Sequence, residues 1–294
     1  MAESIPRGIF DRTEPQPIRR ETVATTPDGN GYFATLANLR IYQGFQWKGA
    51  SNVSYAWEPG FPEEAARERV WQRIVHFLNT LGMDGKKAIH AYAVPGNATI
   101  VDITNPDELA AYYDCGRITA EGNAFFTTEP GLPLYSTAAD CTQTIFYCER
   151  QGQTPVVGLI HAGRAEADKK MPLAAIKHAI ERYGLDPAKI KLGITPSLEP
   201  AHHEIQAKDF SACVTDPDGW KPYMVRPVAD GPYYLDAASY VVHQFITAGV
   251  LPQNIEMYAV GTFESAGRGE GFSNRRSTQN GSPRALFGVA VQIA

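Results

Sequence analysis

The chain lacks a CxxC pair, a basic surplus and any long apolar run, and each absence removes a class of protein. Its four cysteines, Cys115, Cys141, Cys148 and Cys213, stand apart from one another, and in an enzyme of this size they are expected to stay reduced. A net charge of −5 with pI near 5.8 argues against a nucleic-acid binder, which normally presents a basic face, so no nucleic-acid partner is expected. The longest apolar runs, such as 155–160, fall far short of the roughly 20 residues that span a bilayer, so no membrane partner is expected either. Residues 1–30 hold Arg7, Arg12, Arg19 and Arg20 among prolines, without the apolar segment of a secretory signal, and a cytoplasmic location is expected.

With 44% hydrophobic and 20% charged residues over 294 positions, the chain can bury a full core. Residues 1–30 read as an arm that packs late or frays, and 31–294 as a single domain. Strands are expected at 35–46 and 53–57. A helix follows over 62–81, with Glu63 and Glu64 in its first turn, Val70, Ile74, Phe77 and Leu81 at helical spacing, and Gly82 as its stop. His76 shares a face with Arg69 and Arg73 and reads as solvated. Further strands are expected at 87–92, 98–103, 124–128, 132–137, 144–148 and 155–161. The last is a continuous apolar run, the pattern of a strand covered on both faces. A helix at 172–183 and a strand at 189–195 follow, and then a second helix–strand pair at 235–248 and 255–263, before a final strand at 285–293. Two such modules hint at an internal duplication. The fold class is α+β, with mixed sheets and helices outside.

The chemistry concentrates in two places. Ala139-Asp140-Cys141 sits in a turn between strands, and His161-Ala162-Gly163 closes the buried strand. Asp140 beside the thiol raises its pKa by like-charge repulsion, which disfavours a free thiolate nucleophile. A bound cation reverses that logic, since it deprotonates the thiol and tolerates the carboxylate. A metal ligand is therefore favoured over a nucleophile. Gly163-Arg164 gives a close backbone approach next to a guanidinium, which suits a substrate pocket. Arg268, Arg275, Arg276 and Arg284 crowd a glycine- and serine-rich tail that could hold phosphate. The stretch 267–271 imitates a dinucleotide loop, but no helix pattern follows it, so that reading is set aside.

Taken together, "TTEPGLPLYSTAADC", "VVGLIHAGR", "IKLGITPSL" and "GFSNRR…GSPRALFGVAV", in that order, resemble the laccase-domain family. The resemblance implies a four-layer α/β/β/α fold and one zinc held by Cys141, His161 and His90, the last from 87–90, where Ala88 replaces the family's glutamine. His202 and His203 fall in the family's Cys/Tyr-Glu stretch and are alternatives for the third ligand. The implied activity is phosphorolysis of purine nucleosides with inorganic phosphate, with adenosine deamination as a companion. Asp140, Cys141 and His161 would be catalytic, and Arg164, Arg275 and Arg276 would bind substrate. Copper-dependent phenol oxidation is the rival chemistry; it meets the difficulty that seven histidines and no HxH pair do not furnish a multicopper cluster. A Cys141–His161 thiol hydrolase and an inactive nucleoside-binding relative complete the alternatives. The family's HAGWRG is here His161 to Glu166, without tryptophan and with the arginine one place early, and Thr142 stands for the family's proline.

Overall fold

The computed structural model describes residues 16–49, 53, 63–96, 98–104, 113–114, 117–282 and 285–294. Along the chain, Ile18–Arg20 (β1) and Ile41–Phe45 (β2) precede a long helix, Glu63–Thr80 (α1). Then come Ile89–Ala93 (β3), Ile100–Ile103 (β4), Tyr113–Asp114 (β5), Arg117–Gly122 (β6), Ala124–Thr127 (β7), Leu134–Ala138 (β8), Thr142–Cys148 (β9) and Val156–Ala162 (β10). Helices Arg164–Asp168 (α2) and Met171–Tyr183 (α3) lead to Lys191–Ile194 (β11). A stretch of short pieces follows: Glu204–Ile205 (β12), Phe210–Cys213 (α4), Pro217–Trp220 (α5), Met224–Val225 (β13) and Tyr233–Leu235 (β14). Ala237–Thr247 (α6), Ile255–Tyr258 (β15), Thr262–Gly267 (α7), Asn274–Asn280 (α8) and Phe287–Ile293 (β16) end the order. Among these helices none is long and apolar enough to cross a membrane.

Two mixed sheets carry the fold. One has seven strands in the order β1-β15-β11-β9-β10-β7-β4, the other six in the order β2-β16-β8-β3-β6-β5. Side-chain alternation along β9 and β10 explains how they stack. Phe146, Cys148, Val156 and Ile160 face outward onto Met171, Ala175, Ile176 and Ala179 of α3 and Val241 and Phe245 of α6. Ile145, Tyr147, Val157 and Leu159 face the other way, onto Leu134 of β8 and Phe287, Val289 and Val291 of β16. The outer face of the six-stranded sheet is closed by Val70, Ile74, Phe77 and Leu78 of α1, packed on Tyr135 and Ala290. The result is the α/β/β/α order of layers. Both faces of β9 and β10 are dry, which is why 145–148 and 156–160 are apolar, with polar residues confined to the end where the strands meet the Cys141 turn.

The two helix–strand modules lie side by side. Each runs helix, glycine, proline-led 3₁₀ turn (Pro187–Lys189 and Pro252–Asn254) and strand. Their strands β11 and β15 are parallel neighbours, with Leu192 opposite Ile255.

Several expectations need correction. The strand expected at 35–46 is only Ile41–Phe45, because 34–40 fold into turns that bury Phe33 and Leu36 and tie Thr35 to the carboxylate of Glu256. The arm is not loose where it is described: β1 pairs in parallel with β15, and Arg20 reaches the buried Glu256 at 3.0 Å. The strand expected at 255–263 stops at Tyr258, and Thr262–Gly267 is helical because the N–H groups of Phe263 and Glu264 are capped by Glu199. The tail read as loop contains α8, whose first turn is capped by the Ser273 hydroxyl. A helix thus does follow the glycines of 267–271, but α7, not a strand, precedes them, so no dinucleotide motif results. Of the cysteines away from the site, Cys148 is buried and Cys213 half-buried, both as free thiols. The expectations at 54–57, Cys115 and Arg284 lie outside the described residues.

Candidate functional site

The Asp140-Cys141 turn is where the chain crosses from one sheet to the other, since β8 belongs to the six-stranded sheet and β9 to the seven-stranded one. The β9–β10 ladder ends with Thr142 opposite Ala162, which brings Cys141 against Gly163. A Cβ added at Gly163 would lie 2.9 Å from Cys141 Sγ and 2.9 Å from a Glu166 carboxylate oxygen. Only a residue without a side chain lets thiol and carboxylate approach this closely. Glu166 is buried, accepting the Gly163 N–H at 3.0 Å and the Gly96 N–H at 2.6 Å. It stands at the third position of α2 and bonds back to the residue that caps the helix.

His161 is buried at the end of β10, and its Nδ1 lies 3.0 Å from Asn123 Oδ1. The Asn123 amide cannot turn round, because its Nδ2 donates to the Val94 carbonyl at 2.8 Å. Nδ1 of His161 therefore carries the proton and donates to Oδ1, leaving Nε2 as the lone-pair nitrogen. Burial lowers the His161 pKa, with the negative charge of Glu166 acting the other way. A neutral imidazole with a fixed tautomer is what a metal ligand or a base requires. Asn123 escaped the sequence reading, since a polar residue between two strands reads as an ordinary turn. Glu166 left a signal, a glutamate three places after a capping glycine.

Asp140 is fully engaged. One carboxylate oxygen accepts the Thr262 hydroxyl at 2.7 Å and the other the Arg275 N–H at 2.6 Å, so it holds the starts of α7 and α8 against the turn. Arg275 sends its guanidinium to the Glu204 carbonyl at 3.4 Å. Arg276 points elsewhere: it contacts the Phe263 carbonyl at 3.4 Å, lies 5.2 Å from the centre of that ring and rests over Gly267. Of the tail arginines, Arg275 thus joins Asp140, while Arg276 packs against α7. Arg164 opens α2, one residue beyond Gly163. The charges of Arg164 and Arg275 both bear on His203, whose pKa falls to about 4 from burial first and then from these two cations.

His90 lies on β3, buried and stacked at 4.7 Å on Tyr135, the residue it faces across the parallel β3–β8 pairing. The donor chemistry of Cys141 and His161, a thiol over a glycine cradle and an imidazole with its lone pair free by tautomer, fits a borderline metal ion. Among the described residues, the group of three donor atoms lying within 4.8 Å of one another is a different one, Glu199, His202 and Glu264. His90, Cys141 and His161 as placed do not form such a group. In the former cluster Glu199 already caps α7, and His202 stacks on Phe263 at 3.7 Å while meeting Glu264 at 3.2 Å. A cleft of about 550 Å³ lies apart from all of these, between α1 and the turn after β2, lined by Lys48, Arg69, Arg73, His76 and Phe77 among others.

The chain belongs to the multi-copper polyphenol oxidoreductase laccase family, whose sequence profile matches residues 45–289. Three solved structures share the fold. YlmD from Geobacillus stearothermophilus superposes with a TM-score of 0.75 at 18% identity, covering 93% of this chain and 99% of that one. The Bacillus licheniformis hypothetical protein YfiH gives 0.69 at 18% identity, over 87% and 93% of the two chains. Neisseria meningitidis protein NMB0706 gives 0.63 at 16% identity, over 90% and 98%. No curated protein matches significantly. Membership thus ties the chain to metal-associated enzymes, and the structures establish the shared architecture.

Proposed function

We propose that this chain is a metal-dependent enzyme that cleaves purine nucleosides by phosphorolysis, with zinc held by Cys141, His161 and His90, whose donor atoms the ion would have to draw closer than they now stand. One observation carries the reading. Sulfur and a tautomer-locked imidazole emerge at the same end of the β9–β10 ladder, and Arg164 and Arg275 stand at the helix starts beside them. Bound there, zinc supplies Lewis acidity toward an oxygen of phosphate or water. Arg164 and Arg275 bind phosphate and orient it toward the anomeric carbon of the ribose. In the reaction a phosphate oxygen forms the new C1′–O bond as the C1′–N9 bond breaks. The electron pair leaves with the purine, which takes up the proton that the phosphate gives up. Asn123 keeps the His161 tautomer, and Asp140, with one oxygen on the Thr262 hydroxyl and the other on the Arg275 N–H, positions Arg275.

The test is metal analysis of protein purified without chelators, together with phosphate-dependent release of hypoxanthine from inosine. Cys141→Ala should lose both metal and turnover. Retention of both would overturn the proposal. The same metal analysis decides against it in favour of the copper oxidase if copper is found and phenols are oxidised.

A further inference from the structure

Arg164 and Arg275 are both half-buried, and neither forms a salt bridge with a described residue. Both charges act on His203, and two guanidiniums without a described ion-pair partner beside one acceptor suit an anion. His203 completes the surroundings. Its backbone is fixed, donating N–H to the Pro200 carbonyl at 3.0 Å and accepting from the Leu235 N–H at 3.0 Å, so the ring is held where β12 begins. Its Nδ1 is buried with no hydrogen-bond partner. The guanidinium of Arg275 is anchored one residue along, on the Glu204 carbonyl. Burial and the two cations keep the ring neutral, so one of its nitrogens holds a lone pair; with that lone pair on Nδ1, the unpaired atom is an acceptor waiting for a donor.

An anion that also carries a proton satisfies all three groups at once. We propose that Arg164, Arg275 and His203 form a pocket selective for protonated inorganic phosphate, in which the guanidiniums bind the ionised oxygens and His203 Nδ1 accepts the P–O–H hydrogen bond. Sulfate has the same shape and charge as the phosphate dianion but no proton at neutral pH, so it leaves Nδ1 unsatisfied. The inference rests on the phosphorolytic reading of this site, and it makes His203 the residue that recognises the co-substrate.

Calorimetric titration of the full chain with inorganic phosphate and with sulfate, at pH 7 and constant ionic strength, tests it without requiring turnover. Wild type should bind phosphate at least about 10-fold more tightly than sulfate, the worth of one hydrogen bond to a buried acceptor. His203→Phe should bring the two affinities to within about 2-fold. Arg164→Gln should weaken both anions by about 10-fold while keeping the preference. Should His203→Phe fail to fold, His203→Gln, which retains an acceptor oxygen, should keep a preference for phosphate. Equal binding of the two anions by wild type, no binding of either, or an unchanged preference in His203→Phe would overturn the pocket. Phosphate selection without nucleoside cleavage would support the pocket and overturn the phosphorolysis reading.

Discussion

Alanine at position 163 is the sharpest perturbation of the site. The backbone there, at φ −80° and ψ −174°, accepts any residue, so Gly163→Ala introduces no conformational strain. Its whole effect comes from what the new methyl meets, namely Cys141 Sγ and a Glu166 oxygen, each 2.9 Å away. Ordinary contact begins at about 3.5 Å, so the neighbours must give way by roughly 0.5 Å. Glu166 is held by two N–H donors, which leaves the short Cys141 side chain to yield. Metal–ligand distances tolerate only about 0.2 Å, so the displacement exceeds what a coordination sphere absorbs. Overpacking of this kind costs about 1–3 kcal/mol. At about 2.1 cal/mol/K of unfolding entropy per residue over 294 residues, Tm should fall by roughly 2–5 °C. Metal affinity, read by competition with a chelator, should fall about 10- to 100-fold. A variant with the wild-type metal content and melting temperature would refute the reasoning.

Other consequences follow from the same geometry. Asp140→Asn can still accept the Arg275 N–H and donate to the Thr262 hydroxyl, so activity should stay within about 3-fold of wild type. A loss of about 10²–10⁴ would show instead that the carboxylate moves a proton. His203 must stay neutral in the folded chain, so its stabilising environment is intact above pH 6.5 and is lost as pH falls toward about 4. Tm plotted against pH should therefore drop across that window, and the drop should be shallower in His203→Gln. Identical acid slopes in the two proteins would contradict this.

The periodic elements were legible in the sequence because burial imposes their period. The spacing of Val70, Ile74 and Phe77 predicts a helix over 62–81, and the structure has Glu63–Thr80; the apolar run predicts 155–161, and the strand is Val156–Ala162. The motifs at Cys141 and His161 were legible too, the first as a turn between strands and the second as a strand end followed by small residues. What escaped depends on contacts between distant segments. No local pattern announces that Glu199 caps a helix at Thr262–Gly267, or that Asp140 receives the start of α8, because each partner lies more than 60 residues away. Arg275 and Arg276 are adjacent and chemically equal in sequence. Only the helix between Ser273 and Gly281 turns one toward Glu204 and the other onto Phe263. Asn123 is the instructive omission, since its role lies in two hydrogen bonds, one on each side of its amide.

X-ray absorption at the edge of the metal bound to the purified chain bears most directly on the site. The arrangement of Cys141 and His161 predicts a shell containing a sulfur at about 2.3 Å beside nitrogen at about 2.0–2.1 Å. A shell of oxygen and nitrogen alone, unchanged in Cys141→Ala, would contradict it.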